Sequence, residues 1–402
     1  MKVLIVTYLA STSPSGVVTA YKALTNDLTG EGVDVHIVDA SSTPVLWRKF
    51  LGILKRIMRP LGGFASVLYD EFAYFTGVYL ATRRLRKAGF DLIHAQDARS
   101  GAAAYRAMNK QVPVVLTCHF NGDPVTELVK GFLLKPWAAN KLTAWYKYML
   151  GSINNYIFPS NYVYTKSQHL LPATINKRVL YNTVTVKDMS GLEARKPSDQ
   201  VLISNVGYID ERKNQKLLIQ IGHQLRQRGI DNFNIWLIGE GPKRAEYEQL
   251  TKELGLQEHV TFYGQQTAPW RLVAQTDLYV HTALNENCPY SIVEAFAVKT
   301  PVLALPVGGI PEMLPEQFGL LRGTDLNRLT DEVASCFHPQ KRLQLTKAQA
   351  IFAEQKFNHQ TSLNQLLAFY QEISSQAQPL TATANVAEQP MPATLRPINQ
   401  NI

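Results

Sequence analysis

Short apolar runs and amphipathic stretches alternate along this chain, and the alternation occurs twice. In the first half KVLIVTYL, VDVHIVDA, FDLIHAQ, PVVLTCHF, NNYIFPS and the short RVLYNTV read as strands. Their near-continuous apolar character is that of strands buried on both faces. After the turn-rich STSPSG, the stretch VVTAYKALTNDLTGEG has a helical period and ends in glycines. The second half starts again with QVLISNVGYI, the helix NQKLLIQIGHQLRQRG, the strand FNIWLIGEG and the helix PKRAEYEQLTKELG. HVTFYG, TDLYVHTA and TPVLALPVGG follow as further strands. Strands alternating with helices predict an α/β fold made of two doubly wound, Rossmann-like domains facing a central cleft. The polar stretch TVKDMSGLEARKPSDQ sets the division: a first domain at 1–184, a linker at 185–199 and a second domain at 200–374. The final segment, 375–402, is rich in Gln, Thr, Ala and Pro and predicts a disordered tail.

The 402 residues suit two domains at roughly 100–200 residues each. Three cysteines, Cys118, Cys288 and Cys336, form no close-spaced pair, which argues against a disulfide framework or a cysteine zinc site and fits a cytoplasmic protein. The opening MKVLIVTYLA is too short for a signal peptide and predicts a buried strand. No apolar run is long enough to predict a transmembrane helix. The net charge of +9 points to an anionic partner: phosphate groups, anionic lipid or nucleic acid.

Two segments carry candidate chemistry. In VGYIDERKNQKLLI (206–219), Arg212 and Lys213 precede a predicted helix whose free N–H groups favour phosphate. The loop GEGPKRAEY (239–247) has the same form, and reads either as nucleotide-adjacent or as a helix start at Pro242. In NENCPYSIVEAFA (285–297), Glu286 and Glu294 lie in an apolar stretch. A buried carboxylate needs a partner. Ser291 and Glu294 fit a capping box, S-x-x-E, which would account for one of them but not for Glu286. On one helix the pair would stand about 80° apart, and Pro289 opposes such a helix. Glu286 is then expected on a loop and Glu294 in a first helical turn, both facing the cleft.

The stretch NENCPYSIVEAFAVKTPVLALPVGGIPEML resembles the signature of retaining glycosyltransferases of family 4, which have the GT-B fold. The resemblance extends through LIGEGPKRAEYEQLTKELGLQEHVTFYG and VGYIDERKNQKLLI, and in the first half through SGVVTAYKALTNDLTGEGVDVHIVDA, FDLIHAQ, VVLTCHF and VLYNTV. It implies transfer of a sugar from a UDP-, GDP- or ADP-linked donor to a hydroxyl acceptor, with no cofactor or metal. It also implies roles. Glu286 would contact the donor sugar hydroxyls and Glu294 the nucleotide ribose. Lys213 would bind the diphosphate; the arginine usual five positions earlier is here Tyr208, for which Arg212 is the substitute on hand. Tyr290 and Ser291 would present backbone N–H groups, whereas Pro289 stands where a glycine is common and offers none. His119 would lie near the reacting sugar carbon, and Gly16 would let backbone approach the phosphates.

Residues 45–59, VLWRKFLGILKRIMR, hold five cations and no acid. On a helix Arg48, Lys49, Lys55, Arg56 and Arg59 fall on one side, and Trp47, Phe50, Leu51, Leu54, Ile57 and Met58 on the other. Such a helix either lies on an anionic membrane or packs its apolar face on the first domain. Trp137 and Trp145 in LVKGFLLKPWAANKLTAWYKYM suit an interfacial belt. A lipid-linked or cell-surface glycan precursor is therefore the expected acceptor, met on the inner face of the plasma membrane. The rivals are a sugar-nucleotide epimerase of the same fold and a non-catalytic sugar-nucleotide binder. The first strand lacks a following G-x-G-x-x-G, against a dinucleotide oxidoreductase. The cations gather on one amphipathic segment, against nucleic-acid binding.

Overall fold

The computed structural model describes residues 1–13, 15–184, 199–316 and 318–377. The first sheet holds β1 Lys2–Val6, β2 Asp34–Val38, β3 Leu92–Ala95, β4 Val114–Thr117, β5 Asn155–Phe158 and β6 Asn176–Val179. The second holds β7 Val201–Val206, β8 Phe233–Ile238, β9 Val260–Gly264, β10 Leu278–His281 and β11 Val302–Ala304. The spatial orders are β2-β1-β3-β4-β5-β6 and β11-β10-β7-β8-β9, and the strand pairings are parallel. In the first half the helices are α1 Gly16–Gly30, α2 Val45–Met58, α3 Gly63–Arg83, α4 Ala98–Ala107, α5 Pro124–Gly131, α6 Pro136–Gly151 and α7 Asn161–Ser167. In the second they are α8 Gln215–Gln227, α9 Arg244–Glu253, α10 Pro269–Val273, α11 Tyr290–Ala297, α12 Leu326–Ser335, α13 Pro339–Lys356 and α14 His359–Ala377.

Strand side chains alternate between the two faces of a sheet. In β1, Leu4 and Val6 join a core with Ile93, Ala102 and Leu142. Val3 and Ile5 face the other way, onto Tyr21 of α1 and Leu363, Phe369, Tyr370 and Ile373 of α14. The last helix therefore returns to the first sheet. This corrects the sequence-based division, in which 359–374 belonged to the second domain. Helical spacing reveals an apolar stripe, but not the sheet that will cover it. Tyr370 OH lies 2.5 Å from His94 Nδ1, and Asn176 Nδ2 donates to Glu372 across 2.8 Å, so polar contacts fix the same docking. The helix runs to Ala377, so the expected tail begins inside it. The rest of that tail, and the expected linker up to residue 198, lie outside the described residues.

Helix α2 divides its apolar residues between the neighbouring helix α3 and solvent. Leu51 packs on Tyr69 and Ala73 of α3, flanked by Trp47, Leu54 and Met58, and Tyr69 OH donates to Leu51 O across 3.0 Å. Trp47 thus packs against protein, which corrects its expected outward role. Leu46, Phe50, Ile53 and Ile57 form a second stripe, exposed, alongside the exposed Arg48, Lys49, Lys55, Arg56 and Arg59. Trp145 is also anchored inward: its Nε1 donates to the buried Glu71 across 2.8 Å. Trp137 remains half exposed and meets Phe64 edge-on. No helix among the described residues is long and apolar enough to cross a membrane.

If α14 belongs to the first domain's core, Phe369→Ala must cost that domain what a buried aromatic truncation costs, about 3–5 kcal/mol. Urea denaturation checks this, with the loss read in amide exchange of β1 and β3; a loss under about 0.5 kcal/mol would contradict the packing.

Candidate active site

The strand ends and helix starts of both domains border a cavity of about 650 Å³. It is lined from the first domain by Gly16 and His119, and from the second by Arg212, Lys213, Glu286, Pro289, Tyr290, Ser291 and Glu294. The residues picked from sequence for donor binding thus share one cleft. The cations of the other loop do not line it: Lys243 is held by Glu211 and Glu246 at 3.0 and 2.7 Å, and Arg244 by Glu240 and Glu248.

Glu286 sits on the loop between β10 and α11 with its carboxylate almost wholly enclosed. Oε1 accepts from Lys213 Nζ at 2.5 Å and from Arg212 Nη1 at 2.9 Å. Burial acts to raise its pKa, but Lys213 foremost, then His281 and Arg212, hold the carboxyl well below the usual range. The loop is shaped from behind by Gly308, whose φ is +59°. A Cβ there would fall 1.7 Å from Glu286 O, so only glycine fits. Behind the carboxylate, His281 bonds Tyr279 OH through Nδ1 at 3.0 Å and keeps Nε2 without a hydrogen-bond partner, 3.8 Å from Glu286 Oε1.

Glu294 is the opposite case. It is largely buried, and burial alone pushes its pKa up to about 7. The expected capping box does not form. Pro289, with φ −67° and ψ 127°, takes the N-cap position of α11 and offers no side-chain acceptor. The helix therefore begins at Tyr290, which puts Ser291 inside its first turn. Glu294 is left facing the cleft from the second turn. The uncapped first turn leaves backbone N–H groups of α11 without helical partners, the usual setting for an anion.

The first domain brings the start of α1, capped by Ser15 Oγ accepting from Val17 N at 3.3 Å. A Cβ at Gly16 would meet the Tyr290 ring at an ordinary 3.7 Å, so the protein itself does not demand glycine there. His119, after β4, bonds Gln96 Oε1 at 2.9 Å, and burial pushes its pKa down to about 4. It is a neutral imidazole at neutral pH. Tyr208 stands at the cleft, half exposed.

Three residues that sequence reasoning missed hold the two halves together. Asn287, next to Glu286, is buried and reaches Ser160 Oγ at 2.5 Å and Phe120 O at 3.1 Å in the first domain. Asn182 donates to Cys288 O across 2.6 Å. Glu312 accepts from the backbone N–H of Asn161 and Tyr162 at 2.9 and 2.6 Å, capping α7 from the other domain, and from Tyr181 OH at 2.9 Å. The only sequence signal was that Asn287 and Glu312 lie within the signature stretch.

Residues 192–349 match the family described as "Glycosyl transferases group 1", and residues 14–187 that described as "Glycosyltransferase Family 4". The chain belongs to these group 1 glycosyltransferases, and its two facing domains are the GT-B fold. It is 31% identical over 108 residues (27% of the chain) to a lipopolysaccharide core biosynthesis glycosyltransferase of Rhizobium meliloti. It is also 31% identical over 172 residues (42% of the chain) to one component of the human phosphatidylinositol N-acetylglucosaminyltransferase. These matches span 30% and 35%, about a third, of those proteins' own lengths. Among solved structures, Anabaena HepE in complex with UDP-glucose superimposes with a TM-score of 0.67 at 20% identity, over 92% of this chain and 100% of that one.

The isolated Glu294 makes stability pH-dependent. Its folded pKa, about 7, exceeds the ordinary glutamate value of 4.5, so between these pH values the folded state holds the proton that the unfolded state has lost. Its contribution to stability therefore falls as pH rises from about 4.5 to about 7. Glu294→Gln should remove this part of the slope in urea midpoints taken across the range; an unchanged slope would mean that the carboxylate has a partner.

Proposed function

We propose that this chain transfers a sugar from a nucleotide-diphosphate sugar to a hydroxyl of a lipid-linked or cell-surface glycan precursor, with retention of anomeric configuration. The observation that carries this is the convergence of Arg212 and Lys213 on one buried carboxylate at the mouth of α11. Two cations against one anion leave net positive charge beside free helix N–H groups. Cleaving a sugar from a nucleoside diphosphate puts negative charge on the diphosphate, and such charge is stabilised best by groups already in position.

In this scheme Lys213 takes the diphosphate and Arg212 supplies the charge that Tyr208 lacks. The N–H groups of Tyr290 and Ser291 and the start of α1 at Gly16 approach the phosphates. Glu286 accepts from donor sugar hydroxyls and Glu294 from the ribose. His119, neutral, lies by the reacting carbon. The positive charge needed is then supplied by side chains, without a metal or other cofactor. HepE binds UDP and UDP-glucose by the descriptions of its complexes, which supports a nucleotide sugar here. The names of the two relatives, one acting in lipopolysaccharide core synthesis and one on phosphatidylinositol, support a membrane-attached acceptor.

The surface supports the same setting. Leu46, 83% exposed, heads the stripe with Phe50, Ile53 and Ile57 at helical spacing, and Leu133, 90% exposed, stands near Trp137 in the same domain. Isolated surface leucines are ordinary, but a row of four beside five cations matches an interfacial helix. On this reading the protein works at the cytoplasmic face of an anionic membrane, peripherally bound.

A panel of UDP-, GDP- and ADP-sugars should raise the melting temperature with one nucleotide class only. At about 100 times Kd the gain is about 2.7 kcal/mol. Lys213→Ala and Glu294→Ala should weaken the shift, and turnover should give a product with the donor's anomeric configuration. No shift with any sugar nucleotide in a folded sample would overturn the transferase reading.

On flotation, the chain should follow vesicles containing phosphatidylglycerol and leave pure phosphatidylcholine. Raised salt should weaken the attachment, since each basic side chain near such a surface contributes about 1 kcal/mol. Ile53→Glu with Ile57→Glu should release it without unfolding; retention of the double variant on vesicles would remove α2 from the contact.

A further inference from the structure

A second cavity, of about 310 Å³, opens off the first-domain side of the cleft and shares His119, Asn121 and Val17 with it. That volume is at the small end of ligand sites, which run roughly 300–1,000 Å³. Its lining includes Tyr8, Gln96, Arg99, Glu127 and Tyr146. The one cation among these, Arg99, is already committed. Its Nη1 lies 3.2 Å from Glu71 Oε1, its Nε 4.0 Å from Asp97, and its guanidinium over the Tyr8 ring at 4.1 Å. Glu71, in turn, takes Trp145 Nε1. The cluster sets one cation against two carboxylates and leaves no free positive charge to attract a further anion.

Two polar atoms of the cavity wall are enclosed and have no hydrogen-bond partner. One is Glu127 Oε1, on α5, an acceptor; the other is Nε2 of Gln96, a donor on a side chain 3% exposed. Each such atom costs about 1–3 kcal/mol unless something meets it. Burial raises the pKa of Glu127, while the N–H groups of Asn121 and Gly122 and the charge of Arg212 act the other way; Asp123 adds to the rise.

We propose that this cavity receives a neutral, hydroxyl-rich sugar of the acceptor, with Glu127 accepting a hydrogen bond from one of its hydroxyls and Gln96 donating one. This rests on the transferase reading and narrows its acceptor. A phosphate or a uronic carboxylate would meet the Glu127 carboxylate with no free cation in the lining to offset the repulsion. Any anionic part of the acceptor then lies outside the cavity, toward the exposed cations of α2.

The test uses the full chain saturated with the nucleoside diphosphate that stabilises it in the panel above, and saturation-transfer NMR. The probes are methyl glycosides of neutral hexoses and N-acetylhexosamines, against a methyl hexuronide and a hexose 6-phosphate. Neutral glycosides should bind and the acidic sugars should not. Glu127→Gln, which keeps the shape, should weaken neutral binding about ten- to a hundredfold, as loss of a hydrogen bond to a charged group does. Glu127→Ala should weaken it at least as much, and both should keep the nucleotide melting shift. Preference for the acidic sugars, no sugar binding while the nucleotide shift persists, or unchanged neutral binding in both variants would each overturn the subsite. Absence of the nucleotide shift in the wild type would instead overturn the donor reading beneath it.

Discussion

A carboxylate removed from water needs compensation, and the arrangement of this cleft follows from how Glu286 obtains it. Lys213 and Arg212 stand at the start of α8, on a loop between β7 and the helix, whereas Glu286 follows β10. Because β7 and β10 are neighbours in the sheet, the pairing ties two adjacent strand ends together at the point where ligands enter such folds. Removing one partner would leave a buried charge uncompensated, which costs more than the pair contributes in stability. The ion pair is therefore weak evidence for a stabilising role and better evidence for a cluster held ready. A donor diphosphate would take over part of the cation pair, and sugar hydroxyls would take over part of the carboxylate.

That cluster is continuous with the junction between domains. Asn287 immediately follows Glu286, and its amide spans to Ser160 and the Phe120 carbonyl. Gly308 lets the next loop press against the Glu286 carbonyl, and that loop leads directly to Glu312, which caps α7. The backbone that aims Glu286 is thus the same backbone that docks on the first domain. Any opening of the cleft must break bonds adjacent to the ion pair, so the geometry of that ion pair and the position of His119 are coupled through a few residues.

The strands were legible because both faces of each sheet are covered, which produces apolar runs such as VLIV and VVLT that no other element requires. The grouping of residues in the cleft was legible for a similar reason: glutamates in an apolar stretch, and cations before a helix, conflict with local preference unless a site explains them. What escaped depends on partners distant in sequence. The apolar stripe of α14 had a period but no address. Trp47 and Trp145 looked interfacial until Phe72 and Glu71 were placed beside them. The S-x-x-E spacing at Ser291 satisfied a local rule, yet with Pro289 as N-cap the helix starts two residues earlier than the box requires, which removes it. Glu312 and Asn287 read as ordinary polar residues, since an interdomain bond has no local pattern.

The two glutamates of the signature end in opposite electrostatic states, and the difference is informative. Glu286 has two cations and stays ionised; Glu294, eight residues on, has burial alone and rests near half-protonation at neutral pH. A purely structural carboxylate in that position would be replaced at no loss by an apolar residue. A carboxyl that is cheap to ionise only when hydroxyl donors arrive is instead suited to a vicinal diol, because each hydrogen bond it accepts favours the charged form that burial disfavours. The same logic separates the two sides of the cleft. Free positive charge is gathered on the second domain, where Lys213 and Arg212 outnumber their carboxylate. On the first domain Arg99 is neutralised by its neighbours and Glu127 is left over. A charged donor and a neutral acceptor end would therefore sort to opposite walls by electrostatics alone, before any shape is matched.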